Sequence, residues 1–367
     1  MKVGGRAARN VWAVLQLPRL PTPILVMTFK ITVAQPVHAP VAEMLGAHGD
    51  VDINPGPDPL CARELIERCR DADALMAFMT ERIDEVFLDA CPRLRIVSGA
   101  LKGYNNIDVE ACSRRGIFVT VVPDLLTEAT AERAVGSMIA VARNFGPAER
   151  YVRSGAFKGW RARFYGGSLV GATVAVIGAG AVGRSVMRML GGFGCRRLYV
   201  DKKPLTDEME RCLGVERADL ADALRHADFV VLCLHLMPET FHMVDADFLA
   251  RMKAGSYLIN PARGSLVDES AVVAALQSGH LAGYAADTFE MEEWARDDRP
   301  AGLPEGLLRS DKTMLTPHIG SAVRAVRQEI EMVAAESIVD VAKGRTPRGL
   351  VNGGALDVAK DGAQCST

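Results

Sequence analysis

The sequence predicts an α/β protein built from two doubly wound parallel-sheet domains, one of them discontinuous in the chain. Three observations predict it. Continuously apolar runs of strand length recur along the chain, as in strands buried on both faces. Segments with apolar residues at helical spacing separate them, the alternation of an open parallel sheet. The alternation comes in two series with an irregular aromatic stretch between them, and 367 residues are too many for one ordinary core.

The first series opens with a strand over 29–34 (FKITVA), followed by helices over 41–47 and 62–70. Strands follow at 74–79 (ALMAFM), 95–100 (RIVSGA) and 117–121, the last two flanking a helix over 108–115. A long helix over 128–144 leads into the irregular stretch 151–165. The second series starts at 173, with strands in TVAVIG, RRLYVD, DFVVLCL, SYLIN and AGYAAD, and ends at MLTPH. A last helix over 321–343 has no strand of its own to join, so it is expected to return to the first domain. The expected division is 27–124 with 319–350 as one domain and 125–318 as the other. Residues 1–26 hold basic residues, prolines and an apolar piece broken by Gln16, too short for a secretory leader. They are expected to be a disordered extension, or else the real start is Met27 just before the first strand, and 351–367 a loose polar tail.

Composition narrows the function. A net charge of -2 gives no global field for nucleic acid or an anionic membrane, so an anionic substrate must be held by local cations. No apolar run reaches the roughly 18 residues that span a bilayer. The eight cysteines form no CxxC pair and the seven histidines no HExxH, which predicts no metal site and a reducing, cytoplasmic setting.

The segment Gly178-Ala179-Gly180-Ala181-Val182-Gly183 directly follows a buried strand and opens a helix, and Asp201 ends the next strand. Each part has a task. Gly178 makes the tight turn, Gly180 lets the backbone approach a pyrophosphate, and Gly183 lets helix and strand pack closely. The helix N-terminus, with Ala181 and Val182, carries the phosphate charge. Asp201 accepts hydrogen bonds from ribose hydroxyls and repels a 2′-phosphate, so the expected cofactor is NAD and the domains are Rossmann-like. Lys202 and Lys203 could serve a 2′-phosphate or simply be solvated. His235, ending the strand in LCLHLMP, is expected to line the same cleft, with Thr130 and Asp287.

Arg263, Glu292 and His318 all fall beyond the carboxyl ends of strands in the second series, where open α/β sheets place their sites. An arginine fork binds an anion, a histidine moves a proton, and a carboxylate orients the histidine. Taken singly, each could instead be a surface ion pair or a loop residue. The segments GAGAVG, NPARGSLVDE, AGYAADTFEMEE and TPHIGS, however, resemble the D-isomer-specific 2-hydroxyacid dehydrogenase family across nearly all of 27–349. The resemblance implies that Arg263, Glu292 and His318 are the catalytic set.

Departures from the family's usual pattern bear on the substrate. Lys102 stands before the loop glycine in ALKGYNNID, where a small or apolar residue is usual. Glu292-Glu293-Trp294 replaces the usual Glu-Pro, and GSAVRAVRQEIE, with Arg324 and Arg327, replaces GGAT. With MAFM, PDLLT, YVRSG, FYG and DDRP, these resemble the phosphite-oxidising (phosphonate dehydrogenase) branch. Phosphite is small, tetrahedral and largely dianionic. Lys102 and Arg263, with Arg327, could supply the cations, while Met79 packs against the substrate. The alternatives are a surface Lys102 and a solvated arginine face. At the level of function they are a glyoxylate or hydroxypyruvate reductase and an NAD-sensing transcriptional corepressor. A homodimer is expected, with helix 128–144 as contact. Trp160 and Tyr165 are left between interface and pocket wall.

Overall fold

The computed structural model describes residues 28–294 and 296–353. The extension 1–26 and the tail from 354 lie outside the described residues. Two parallel sheets carry the fold. The first contains β1 (Lys30–Val33), β2 (Asp50–Ile53), β3 (Ala74–Ala77), β4 (Ile96–Gly99) and β5 (Phe118–Thr120), in the order β2-β1-β3-β4-β5. The second contains β6 (Thr173–Ile177), β7 (Arg196–Val200), β8 (Glu216–Arg217), β9 (Phe229–Leu232), β10 (Ser256–Asn260), β11 (Leu281–Ala286) and β12 (Thr313–Leu315), in the order β12-β11-β10-β9-β6-β7-β8. The expected α/β class with two doubly wound sheets is what the chain adopts.

The strands form where the apolar runs are: β3, β4 and β9 are buried at every residue. β2 was not expected. Its DVDI sequence lies at an edge and is at most half-buried, so it has no apolar run to betray it. The helix Glu85–Ala90 was also missed. Six residues are too few for a period, and its sign is a cap, the Asp84 carboxylate accepting from Phe87 N at 3.0 Å.

The carboxy-terminal helix Arg324–Ala342 packs on β3 and β4, and Ile330, Ala334, Ile338 and Val341 complete the first core. Ser98 Oγ donates to Ala334 O at 2.9 Å, tying that helix to β4. The tail expected to be loose from 351 is pinned at its start. Val351 N donates to Val119 O at 3.0 Å, and the buried Asn352 side chain accepts from Val119 N and donates to Ile117 O. Val351 also packs on the first core, but one apolar residue and an amide make no pattern that composition would show.

The helix Thr127–Ala142 also corrects an expectation. Its apolarity was assigned to a subunit contact, but Ala131, Ala134 and Met138 are buried inside the chain, against the second sheet and the helix Ala181–Met189. The exposed large apolar side chains, including Phe145, Phe157, Trp160 and Tyr165, follow it instead. Among the described residues no helix is long and apolar enough to cross a membrane, and no cluster of His, Cys, Asp or Glu could hold a metal.

Candidate active site

The strand order of the second sheet reverses between β6 and β9, and a crevice opens beyond their carboxyl ends, as at a topological switch point. The glycine turn lies there. Gly178 has φ +104°, and a Cβ on it would meet Cys233 O at 2.3 Å. A Cβ on Gly183 would lie 2.0 Å from Gly178 O, so helix and turn touch through backbone alone. At Gly180 an added Cβ would meet nothing within 4 Å and would project into open space at the start of the helix Ala181–Met189. That space is what a pyrophosphate needs, next to the first free N–H groups of a helix. The residues present therefore fit a nicotinamide dinucleotide.

Asp201 is already partly engaged. Its Oδ2 accepts from Ala179 N at 2.7 Å and its Oδ1 from Lys203 N at 2.9 Å. The carboxylate thus braces the glycine turn while keeping lone pairs for a diol. Asp201→Ala is expected to shift preference toward NADP, because the anion that opposes a 2′-phosphate is removed and Lys202 and Lys203 remain. NAD binding should weaken too, through the lost brace. The ratio of kcat/KM for NADP and NAD measures this, and an unchanged ratio would remove Asp201 from the ribose site.

A cavity of about 840 Å³ occupies the crevice between the two sheets. Met79, Lys102 and Arg327 line it from the first body. Thr130, Gly180, Ala181, Val182 and His235 line it from the second, as do Arg263, Asp287 and His318. Gly178 and Gly183 shape the turn from behind, and Glu292 touches the cavity only through His318. Arg324 is exposed, one turn away from Arg327, and Trp160 and Tyr165 are exposed away from the cavity lining.

His318 Nδ1 lies 2.8 Å from Glu292 Oε1. A carboxylate only accepts, so Nδ1 carries the proton and Nε2 is left free for a ligand in the cavity. The histidine backbone is left-handed, with φ +52°. Such strain persists when surroundings over-determine it, and Asp287 supplies them. Its backbone O accepts from His318 N at 2.8 Å. Its carboxylate accepts from Ile319 N at 2.9 Å, Gly320 N at 2.7 Å and Thr316 Oγ1 at 2.5 Å. Arg133 Nε stands 3.3 Å from the same carboxylate, balancing its buried charge. Asp287, expected among the cofactor contacts, does line the cavity, but most of its acceptor capacity holds the histidine loop.

Two of the three cations are paired with an acid, and the third lies near one. Lys102 is paired with Asp124, and partial burial lowers its pKa. Arg327 Nε lies 3.9 Å from Glu331, its guanidinium 5.8 Å from the Phe78 ring centroid, and burial lowers its pKa as well. Arg263 Nη1 donates to Ala262 O at 2.8 Å, with Glu293 nearby. Asp124, Arg133, Glu293 and Glu331 were not legible as site residues. Only the substitution of Glu293 for the usual proline could have signalled one of them.

Behind the turn that carries Glu292 lies a buried acid, Glu269, whose Oε1 accepts from Glu290 N at 3.0 Å. Burial pushes its carboxyl up to about 7 from the ordinary 4.5, helped by the charges of Glu290 and Glu292 against the opposing hydrogen bond. The fold prefers the protonated form, so this group's contribution to stability is full below about pH 4.5 and is lost as pH rises through about 7. Glu269→Gln keeps the acceptor and removes the titration. Relative to this variant, the wild-type melting temperature should fall between about pH 5 and pH 8. Parallel profiles in thermal unfolding would show that Glu269 does not titrate there.

Comparisons with known proteins converge on one family. A model described as the D-isomer specific 2-hydroxyacid dehydrogenase NAD binding domain matches residues 135–320. The chain is 39% identical over 327 residues to a glyoxylate reductase of Thermococcus kodakarensis, covering 87% of this chain and 95% of that one. It is 36% identical over 338 residues to a glyoxylate reductase of Thermococcus onnurineus, covering 91% of this chain and 98% of that one. Among solved structures, the TT0316 protein of Thermus thermophilus superposes with a TM-score of 0.80 at 33% identity, covering 88% of this chain and all of that one (100%).

Proposed function

This chain belongs to the D-isomer specific 2-hydroxyacid dehydrogenase family, and from that premise we propose that it oxidises phosphite to phosphate with NAD. The observation that carries this reading is the set of three cations, Lys102, Arg263 and Arg327, lining one cavity with His318. A dianion needs more positive charge than a monocarboxylate does, and the residues beyond Arg263 are those at which the chain leaves the family's usual pattern. Lys102 and Arg327 are each paired with an acid, and a small anion entering the cavity competes with Asp124 and Glu331 for them.

When bound, the nicotinamide supplies the two-electron acceptor for the hydrogen on phosphorus. Arg263 and Lys102 bind and orient the oxyanion, Arg327 adds charge at its edge, and Met79 covers it from bulk water. A water oxygen must join phosphorus, and His318 Nε2 takes the proton that this water loses. Glu292 holds the ring and balances the imidazolium that forms. A homodimer belongs to the same proposal, supported by the exposed aromatic side chains of the segment after Ala142.

A second reading has a specific observation behind it: the curated relatives are named glyoxylate reductases. There Arg263 would hold the carboxylate of a 2-oxo acid and His318 would give its proton to the carbonyl oxygen. The relatives' names support this reading more directly than the first. Two assays separate them. Purified protein with NAD and phosphite should produce NADH, and with NADH and glyoxylate it should be slower by kcat/KM. The reverse ranking would replace phosphite by a 2-oxo acid.

A further inference from the structure

The loop 101–106 reaches across the cleft and meets the catalytic turn of the other body. Asn105 Nδ2 donates to Glu293 Oε2 at 3.1 Å, a contact between residues 188 apart in sequence. Glu293 is 5% exposed, and among the described residues its Oε1 has no hydrogen-bond partner. Beside this contact, the backbone of Gly103 presses on Arg263, since a Cβ there would lie 2.0 Å from Nη2. The rear of the loop is fixed separately, by Asn106 Nδ2 donating to Phe78 O at 2.9 Å and Glu81 O at 2.7 Å.

We propose that Glu293 is a positioning residue: it latches the Lys102 loop to the Arg263 side of the cleft, through Asn105 and through its charge beside Arg263, and so sets the spacing of the two cations. A proline at this position could do neither, since it has no acceptor side chain and no charge. Burial and the neighbouring Glu292 push the Glu293 carboxyl up, while Arg263, Asn105 and the nearby Ser265 backbone oppose them, so the acid is held in part by the groups it positions. The inference rests on reading the cleft as the substrate-anion site, not on which anion enters.

The test inverts the hydrogen bond. Asn105→Asp sets two carboxylates against each other and should raise KM for the anionic substrate at least about tenfold, the scale of losing a bond to a charged group. Glu293→Gln keeps an acceptor for Asn105 and loses the charge, so its effect should be smaller. In the double variant Asn105→Asp with Glu293→Gln, the amide donates and the carboxylate accepts. KM should then return to within about threefold of wild type, a residue of the relocated charge. NAD affinity, read by fluorescence titration, should stay constant throughout, because the glycine turn is untouched. A double variant no better than the product of the singles overturns the latch. Turnover of neither phosphite nor glyoxylate by wild type would defeat the functional reading alone. The same four proteins compared by thermal unfolding would then decide the latch, and absence of rescue there would overturn it.

Discussion

His318→Asn is expected to lower kcat by a factor of about 10²–10⁴, the usual contribution of a positioned general acid–base. Asparagine is close in size, can donate to Glu292, and cannot take a proton. Substrate and NAD binding should change little, because Arg263 and the glycine turn are intact. The variant must still fold. His318 has φ +52°, a conformation that asparagine tolerates better than most residues, and the loop is held by backbone bonds to Asp287 rather than by the ring. Glu292→Gln should lose less. Its amide oxygen can still accept from Nδ1, but the charge that balances the imidazolium is gone. Steady-state kinetics at saturating NAD separate these expectations. A His318→Asn variant within a few-fold of wild-type kcat would take the histidine out of the proton transfer and leave only its place in the cleft.

Much of this site could be read from the sequence, and the reason is physical. The glycine turn is written in residues that only backbone can replace: Gly178 and Gly183 sit where a Cβ would meet Cys233 O and Gly178 O. Strands buried on both faces, such as β3 and β9, are apolar at every position and show as runs. Arg263, Asp287 and His318 could be placed because an open parallel sheet puts its strand ends on one side. What failed to show is what depends on partners distant in sequence. Asp124 against Lys102, Arg133 against Asp287 and Glu331 against Arg327 are charges neutralised by tertiary contact, and no local pattern announces such a pairing. β2 failed for the opposite reason. An edge strand with a DVDI sequence takes its partners from β1 through backbone bonds that any side chain allows. The long helix Thr127–Ala142 shows a third failure. Its apolarity was visible, but sequence cannot say whether an apolar face meets its own chain or another copy.

The pairing of Lys102 with Asp124 sharpens the expectation for the residue on which the phosphite reading depends most. Lys102→Ala removes a cation from the cavity and leaves the half-exposed Asp124 without its partner. Removing one partner of a buried, hydrogen-bonded charge pair costs about 2–5 kcal/mol, or tens to thousands in affinity. Lys102 is only partly buried, which places the effect nearer tens. The loss should appear in KM for phosphite, with NAD affinity unchanged. Lys102→Ala with Asp124→Asn should recover part of it by removing the stranded acid. Lys102→Arg should also recover only part, since a planar fork beside Gly103 and Arg263 does not reproduce a compact ammonium. Arg263→Ala should be at least as damaging, because its fork both binds and orients the anion. Glyoxylate provides the internal control. A monocarboxylate held by Arg263 has less need of Lys102, so Lys102→Ala should weaken phosphite use more than glyoxylate use. If both fell equally, or if KM for phosphite stayed at the wild-type value, Lys102 would have no part in selecting the dianion, and the glyoxylate reading would stand alone.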